Sequence, residues 1–466
     1  MKKIDLTTDN NMYEMYLDSR AVFTKEIRNS NTRKEYLQNY SIIKDPDAFY
    51  DISCKTAENI KGYLYKYGYM ELILEVTEAC NFRCQYCIFG GSYETMRSHA
   101  SRNMRFETAK AAIDYYFNSI KVGQDYNPLR RPSVAFYGGE PLLNFSLIKQ
   151  CVEYIKEVYP DYNTYFTITT NGSLMTEEIS RFFYANNINP IVSLDGPEQE
   201  HDRNRKFVNG EKSFKQVMKN IHILHQYTKE PVMTEAVYDV RTDLLSLSEF
   251  FDTTPEVFCI NTSPVRSYNT KYYEQFTQKE IDKFNKTEEK LLQLFLEDVR
   301  NGTSRHPFAS RFFIGKCMMF LNYRIDWGNK KYGIIKYTGA CVPGSKIFVS
   351  VEGRFFLCEK VSHNRCYGNV QEGLYFEEIA QYVNELNQCS NECIECKARN
   401  ICTLCPSLYE DGLKKLFDNK ICDNNRREIG NALKLAYDIF ELNPTWVKAY
   451  VTDYYEKLKE MMVRLI

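Results

Sequence analysis

The chain has 466 residues, with 60 Lys and Arg against 61 Asp and Glu. That balance gives no electrostatic footprint for nucleic acid, and the absence of any run of 18 apolar residues predicts no membrane span. The length suggests about three domains. The 16 cysteines, with no apolar secretory segment at Met1–Thr7, argue for metal or cluster ligation in a reducing, oxygen-poor cytoplasm rather than for disulfides.

Residues 1–68 are polar with scattered tyrosines, and helical patterns fall at 31–40 and 55–67. From there apolar, β-branched runs recur at 70–76, 133–137, 165–170, 190–194, 231–237 and 256–262. Longer helical patterns, such as Phe106–Ile120 and Ser146–Glu157, lie between them. Strand–helix alternation of this kind predicts an α/β fold on a parallel sheet, curled by right-handed crossovers into a full or partial barrel.

Directly after the first strand come Cys80, Cys84 and Cys87, spaced C-x3-C-x2-C. Three thiolates on one tight loop can hold three corners of a cubane iron–sulfur cluster and leave the fourth iron open. A structural zinc site with one more ligand is the competing reading. The other polar motifs also fall at the carboxyl ends of predicted strands: Tyr137-Gly138-Gly139-Glu140-Pro141, Thr169-Thr170-Asn171-Gly172 and Ser193-Leu194-Asp195-Gly196-Pro197. In parallel α/β architectures that edge binds ligands. Taken alone, the Gly pair reads as an ordinary turn. Asn171, Ser193 and Asp195 read equally well as turn and cap residues.

Helical patterns return at 276–301 and 426–461, flanking a cysteine-rich stretch. It holds Cys341, Gly353 and Cys358 spaced G-x4-C, the run Cys393, Cys396, Cys402 and Cys405, and Cys422. Paired C-x2-C spacing is also the currency of zinc ribbons. Cys54, Cys151 and Cys259 read as free surface thiols without a role.

Together, the cysteine loop with Tyr86 before its third cysteine, the GGEP-like and TTNG-like segments, and Ser193–Pro197 followed by His201, Asp202 and Arg205 resemble the radical S-adenosylmethionine (radical SAM) enzymes over about residues 70–260. The C-terminal cysteines resemble the SPASM domain of radical SAM peptide maturases and, more distantly, of anaerobic sulfatase-maturing enzymes. The resemblance implies a partial (β/α)6 TIM-like barrel over 69–275, a helical linker over 276–335, a SPASM domain over 336–425 and C-terminal helices over 426–466. Residues 1–68 would be a leader-recognition domain or a cap on the barrel.

It further implies S-adenosylmethionine and three [4Fe-4S] clusters. Cys80, Cys84 and Cys87 would carry the catalytic one. Cys341, Cys358 and Cys405 would hold the first auxiliary cluster, and Cys393, Cys396, Cys402 and Cys422 the second. Tyr86, Gly138, Gly139, Glu140, Asn171, Ser193 and Asp195 would contact S-adenosylmethionine; Arg205 would either neutralise its carboxylate or be solvated at the surface.

Two departures stand out. Cys402 and Cys405 are spaced x2 where the family has x3, and Ile335 stands where some members carry a further cysteine. The first auxiliary cluster would then have an open iron unless Cys317, Cys366 or Cys389 fills it. The implied activity is thioether cross-linking of a ribosomal precursor peptide carrying a leader, with flavodoxin or ferredoxin as electron donor. Formylglycine generation in a sulfatase, carbon–carbon cross-linking or epimerisation, and a non-catalytic zinc-stabilised peptide scaffold are the alternatives.

Overall fold

The computed structural model describes residues 3–7, 12–16, 22–24, 56–93, 96–126, 128, 130–267, 270–322, 343–389, 396, 398, 402, 404–405, 419–450 and 452–453. Near the N-terminus β1 (Lys3–Thr7), β2 (Met12–Tyr16) and β3 (Val22–Thr24) form an antiparallel sheet of their own. The helical pattern expected at 31–40 lies outside the described residues. The one at 55–67 forms α1 (Ala57–Tyr67), started by a Thr56 side chain that accepts from Asn59 N–H.

The barrel strands come in chain order: β4 (Glu71–Thr77), β5 (Ser133–Gly138), β6 (Tyr165–Thr170), β7 (Ile188–Ser193), β8 (Val232–Tyr238) and β9 (Val257–Pro264). Each pairs in parallel with the next. The connections carry α2 (Phe106–Gly123), α3 (Phe145–Val158), α4 (Glu177–Asn186), α5 (Glu198–Asn204), α6 (Phe214–Thr228) and α7 (Leu244–Thr253). The six expected strands are all present, so the fold is the partial barrel that the alternation implied.

Strand periodicity decides what faces where. Leu72, Leu74 and Val76 of β4, with Val134 and Phe136 of β5, join the helices in the main apolar core. Ile73, Ala135 and Tyr137 face the other way and pack with Phe348 and Phe356.

Helices α8 (Gln278–Asn301) and α9 (Pro307–Asn322) occupy the expected linker. A reciprocal Thr277–Glu280 capping box starts α8, and left-handed Gly302 ends it. After it, β10 (Lys346–Val349) pairs in parallel with β4, and β11 (Phe355–Phe356) pairs antiparallel with β10. The cysteine-rich region thus extends the barrel sheet to eight strands, which the sequence pattern did not suggest. A β12–β13 pair (Gly368–Asn369 and Gly373–Leu374), α10 (Phe376–Cys389) and α11 (Asn419–Leu442) complete the described elements. The helix expected to begin at 426 starts earlier, at Asn419. No described helix is long and apolar enough to cross a membrane.

Candidate active site

The loop after β4 is fastened on both sides. Its Arg83 N–H donates to Lys206 O and Gln85 N–H to Asn204 O, while Asn81 O accepts from Val208 N–H. The Phe82 ring meets Phe207 edge-on at 4.8 Å. Cys80, Cys84 and Cys87 are therefore held on a fixed loop as free, partly buried thiols. Burial pushes the Cys80 and Cys84 thiols up to about 12, with the Glu140 charge adding to the rise at Cys80 and Arg205 opposing it at Cys84. Burial raises Cys87 as well. Thiols this reluctant to ionise in isolation need a cation to replace their protons, as iron does.

Among the described residues no three His, Cys, Asp or Glu side chains converge as they would around a single ion. A cubane spreads its ligands over several irons, so the loop suits a cluster better than zinc.

The sulfurs differ in the hydrogen bonds they meet. A ligating thiolate has no proton and can only accept. Cys80 accepts from Phe82 N–H, Cys358 from Lys360 N–H and Cys396 from Ala398 N–H, each at 3.4 Å and two residues on. The same relation links Cys87 to Phe89 and Cys402 to Leu404. Cys317 donates to Phe313 O at 3.4 Å, Cys366 to Gly368 O at 2.9 Å and Cys259 to Asn261 O at 3.3 Å, while a backbone N–H also favours the Cys259 and Cys317 thiolates. Cys151 and Cys259 are buried in the main core, which corrects their assignment as surface thiols.

Beside the cysteine loop, β5 ends in the Gly pair. A Cβ on Gly138, at φ +154°, would lie 2.2 Å from Thr77 O, and one on Gly139 2.2 Å from Ala79 O. Glycine is required here for backbone to pass this close. Glu140 is 1% exposed. One carboxylate oxygen accepts from Thr170 Oγ1 at 2.7 Å and Leu142 N–H at 3.1 Å, the other from Asn171 N–H at 2.7 Å. Burial pushes this carboxyl up to about 7 against those bonds. With about four acceptor positions on a carboxylate, one remains for a ligand amine.

Asn171 ties the third loop to the first, its Nδ2 donating to Asn81 Oδ1 at 2.8 Å and its Oδ1 accepting from Ser173 N–H and Oγ. Ser193 closes β7 half-buried, in register with Glu235 of β8. Asp195 and Tyr86, both expected at the cofactor, bond to each other instead: the Tyr86 hydroxyl donates to Asp195 Oδ2. Arg205 Nε stands 3.0 Å from the same oxygen, and its guanidinium lies over the Tyr86 ring. At 8% exposed Arg205 is not the solvated residue that was one expectation. His201 and Asp202 build the platform below: His201 Nδ1 accepts from Asp195 N–H, and Asp202 accepts from Ser213 and Phe214 N–H at the start of α6.

Inside the barrel several groups escaped the sequence reading. Tyr137 faces the lumen beside the Gly pair, its hydroxyl raised by burial and by Glu359, Cys87 and Glu235. Glu75 is fully buried and bonded to Arg97. Glu359 follows Cys358, and His363 stacks on Phe356 at 4.4 Å. Cys358 borders the same apolar cluster as Tyr137. Alternation along β5 would have found Tyr137; nothing local marks Glu359 or His363.

In the second set, Cys396, Cys402 and Cys422 perturb one another at the start of α11. Asn425 Nδ2 donates to Cys402 Sγ at 3.4 Å and Arg426 Nη1 to Cys396 Sγ at 3.9 Å. Cys405 is exposed. Cys54, Cys341, Cys393 and Ile335 lie outside the described residues, as does the side chain of Cys389.

A parallel partial barrel whose strand-end loops bring together a three-cysteine loop, a Gly-Gly cradle and a buried carboxylate defines an α/β enzyme with its site at the barrel mouth. Residues 74–239 match the Radical SAM superfamily. Those residues form a radical SAM domain. It is 24% identical to the radical SAM cyclopropyl synthase TigE of Paramaledivibacter caminithermalis, over 79% of this chain and 74% of that one. It is also 24% identical to a cysteine-type anaerobic sulfatase-maturating enzyme of Clostridium novyi, over 76% and 91%. The solved structure of native anSMEcpe with bound AdoMet shares the fold at TM-score 0.57 and 21% identity, covering 82% of this chain and 99% of that chain.

Proposed function

We propose that this enzyme modifies a ribosomally made precursor peptide, forming thioether bonds from its cysteines, with one catalytic and two auxiliary four-iron clusters. The observation that carries it is the three-cysteine loop fastened beside the Gly138–Gly139 turn and the buried Glu140 at the barrel mouth, with Cys358 on the apolar cluster that holds Tyr137. Cys80, Cys84 and Cys87 would hold the catalytic cluster. Cys341, Cys358 and Cys405 would hold the first auxiliary cluster, and Cys393, Cys396, Cys402 and Cys422 the second. Without Cys317 or Cys366 as a further ligand, the first auxiliary cluster would keep a position for a substrate thiolate, a soft ligand suited to iron.

Cys80, Cys84 and Cys87 would hold a cluster that, when bound, would supply the one-electron reduction of S-adenosylmethionine on which radical hydrogen abstraction depends. The chain's own residues do the rest. Gly138 and Gly139 let backbone approach the methionine end, and Glu140 accepts from its amine. Asn171 and Asn81 lock two loops at fixed spacing, and Tyr86, Asp195 and Arg205 brace the cysteine loop from below. Tyr137, Glu235 and Glu359 line the lumen where a peptide segment would lie. A leader would add as a strand to the small N-terminal sheet, and flavodoxin or ferredoxin would supply electrons.

The test is iron, sulfide and zinc per chain in protein reconstituted without oxygen. About 12 irons per chain support three cubanes, whereas about 4 irons with zinc make the C-terminal region a structural ribbon. Likeness to sulfatase-maturating enzymes along most of their length favours formylglycine generation as a second reading. Mass spectrometry of a cysteine peptide separates the two. Thioether formation removes two hydrogens and keeps sulfur, while formylglycine generation loses the sulfur.

A further inference from the structure

The stretch after Cys87 folds back on the cysteine loop. Gly90 N–H donates to Cys87 O and His99 N–H to Phe89 O at 3.1 Å, and Glu78 N–H and Met104 N–H fasten residues 102–104 along the end of β4. This hairpin-like return brings the His99 ring to the loop, with Nε2 at 3.7 Å from Cys87 Sγ. The other nitrogen, Nδ1, is shut from solvent and has no partner among the described residues.

A cysteine sulfur bound to iron carries no proton, so in the loaded protein Nε2 must be the donor and Nδ1 the bare acceptor. Hydrogen bonds to cluster sulfurs favour the more electron-rich, reduced state and are a main lever on cluster potential. Cys80 and Cys87 already receive backbone N–H from Phe82 and Phe89. Those bonds are common to any side chain; His99 adds one that depends on the residue.

We infer that His99 is a positioning residue of the catalytic cluster: its Nε2–H donates to the Cys87 thiolate and raises the ease with which the cluster takes up its electron. The bond changes the driving force for electron entry and leaves the bound S-adenosylmethionine untouched.

The experiment compares full-length, anaerobically reconstituted wild type with His99→Phe, which removes the donor, and His99→Gln, whose amide places a donor near the Nε2 position. Redox titration followed by electron paramagnetic resonance reads the catalytic cluster, identified as the signal that changes on adding S-adenosylmethionine. Iron per chain is measured alongside. One neutral hydrogen bond predicts that the reduced-to-oxidised ratio of His99→Phe at a fixed potential falls about three- to tenfold, with iron unchanged and most of the loss restored in His99→Gln. A fully loaded His99→Phe that titrates like wild type overturns the inference. Should His99→Phe fail to retain iron, His99→Met against His99→Gln repeats the comparison, and equal ratios in that pair overturn it. A wild type without any S-adenosylmethionine-sensitive signal would overturn both the inference and the assignment of the loop.

Discussion

Replacing Gly139 by alanine would test whether the turn after β5 and the cysteine loop are built as one unit. The new Cβ would sit 2.2 Å from Ala79 O, 2.6 Å from Ala79 C and 2.8 Å from Glu78 O, all backbone atoms that immediately precede Cys80. Relief requires the two segments to part by about 1 Å, as overpacking against rigid backbone does. The Gly139 N–H bond to Thr77 O, at 2.9 Å, and the Glu140 N–H bond to Ala79 O, at 2.8 Å, would then be stretched out of range. Two such bonds at about 1 kcal/mol each, with about 1–3 kcal/mol of overpacking, give roughly 3–5 kcal/mol of local destabilisation. The displacement falls on the first cluster ligand and on the cradle facing it. S-adenosylmethionine cleavage, assayed as 5′-deoxyadenosine release under reducing conditions, should fall about 100-fold, while circular dichroism keeps the wild-type fold. Gly62→Ala is the control. That glycine lies inside α1 with nothing within 4 Å of its missing Cβ, so alanine should stabilise by about 0.5–1 kcal/mol. A Gly139→Ala protein with full iron and wild-type cleavage would refute the coupling.

Asp195→Ala should cost about 3–5 kcal/mol because it leaves Arg205 buried without its counter-charge, the two side chains being 3% and 9% exposed. Adding Arg205→Met should recover part of that loss in thermal melts, and strict additivity would deny the pairing. For Glu140, burial lifts the folded carboxyl from 4.5 to about 7. The native state therefore binds the extra proton, and the stability contribution present below about pH 4.5 is lost as pH rises to about 7. Glu140→Gln should gain on wild type across that window and level off above it; a gap that narrows with rising pH would reverse the sign. Cys317→Ala and Cys366→Ala should keep full iron, while Cys358→Ala and Cys396→Ala should each lose about 4 irons per chain. Iron loss in Cys317→Ala would make it a ligand after all.

The sequence carried the barrel because strand periodicity and cysteine spacing are local properties. All six strands and the loops that end them follow from apolar runs of 5–7 residues, and three thiols within eight residues can only lie on one loop. The Gly pair was legible as a close approach, though its partner, the carbonyl of Ala79, was not. Tertiary structure decided the rest, since each decision joins segments far apart in the chain. Arg205 could be placed in solvent until the fold buried it against Asp195 and Tyr86. Asp195 read equally well as a turn residue until the fold set its oxygens against Tyr86, Arg205 and Val237 N–H. The pairing of β10 with β4, 275 residues apart at Lys346 and Glu71, brings Cys358 and Glu359 to the lumen. Spacing alone says which cysteines could share a cluster. Which of them meet depends on how distant segments pack, as Cys422 on α11 comes beside Cys396 and Cys402, and only the folded chain fixes that.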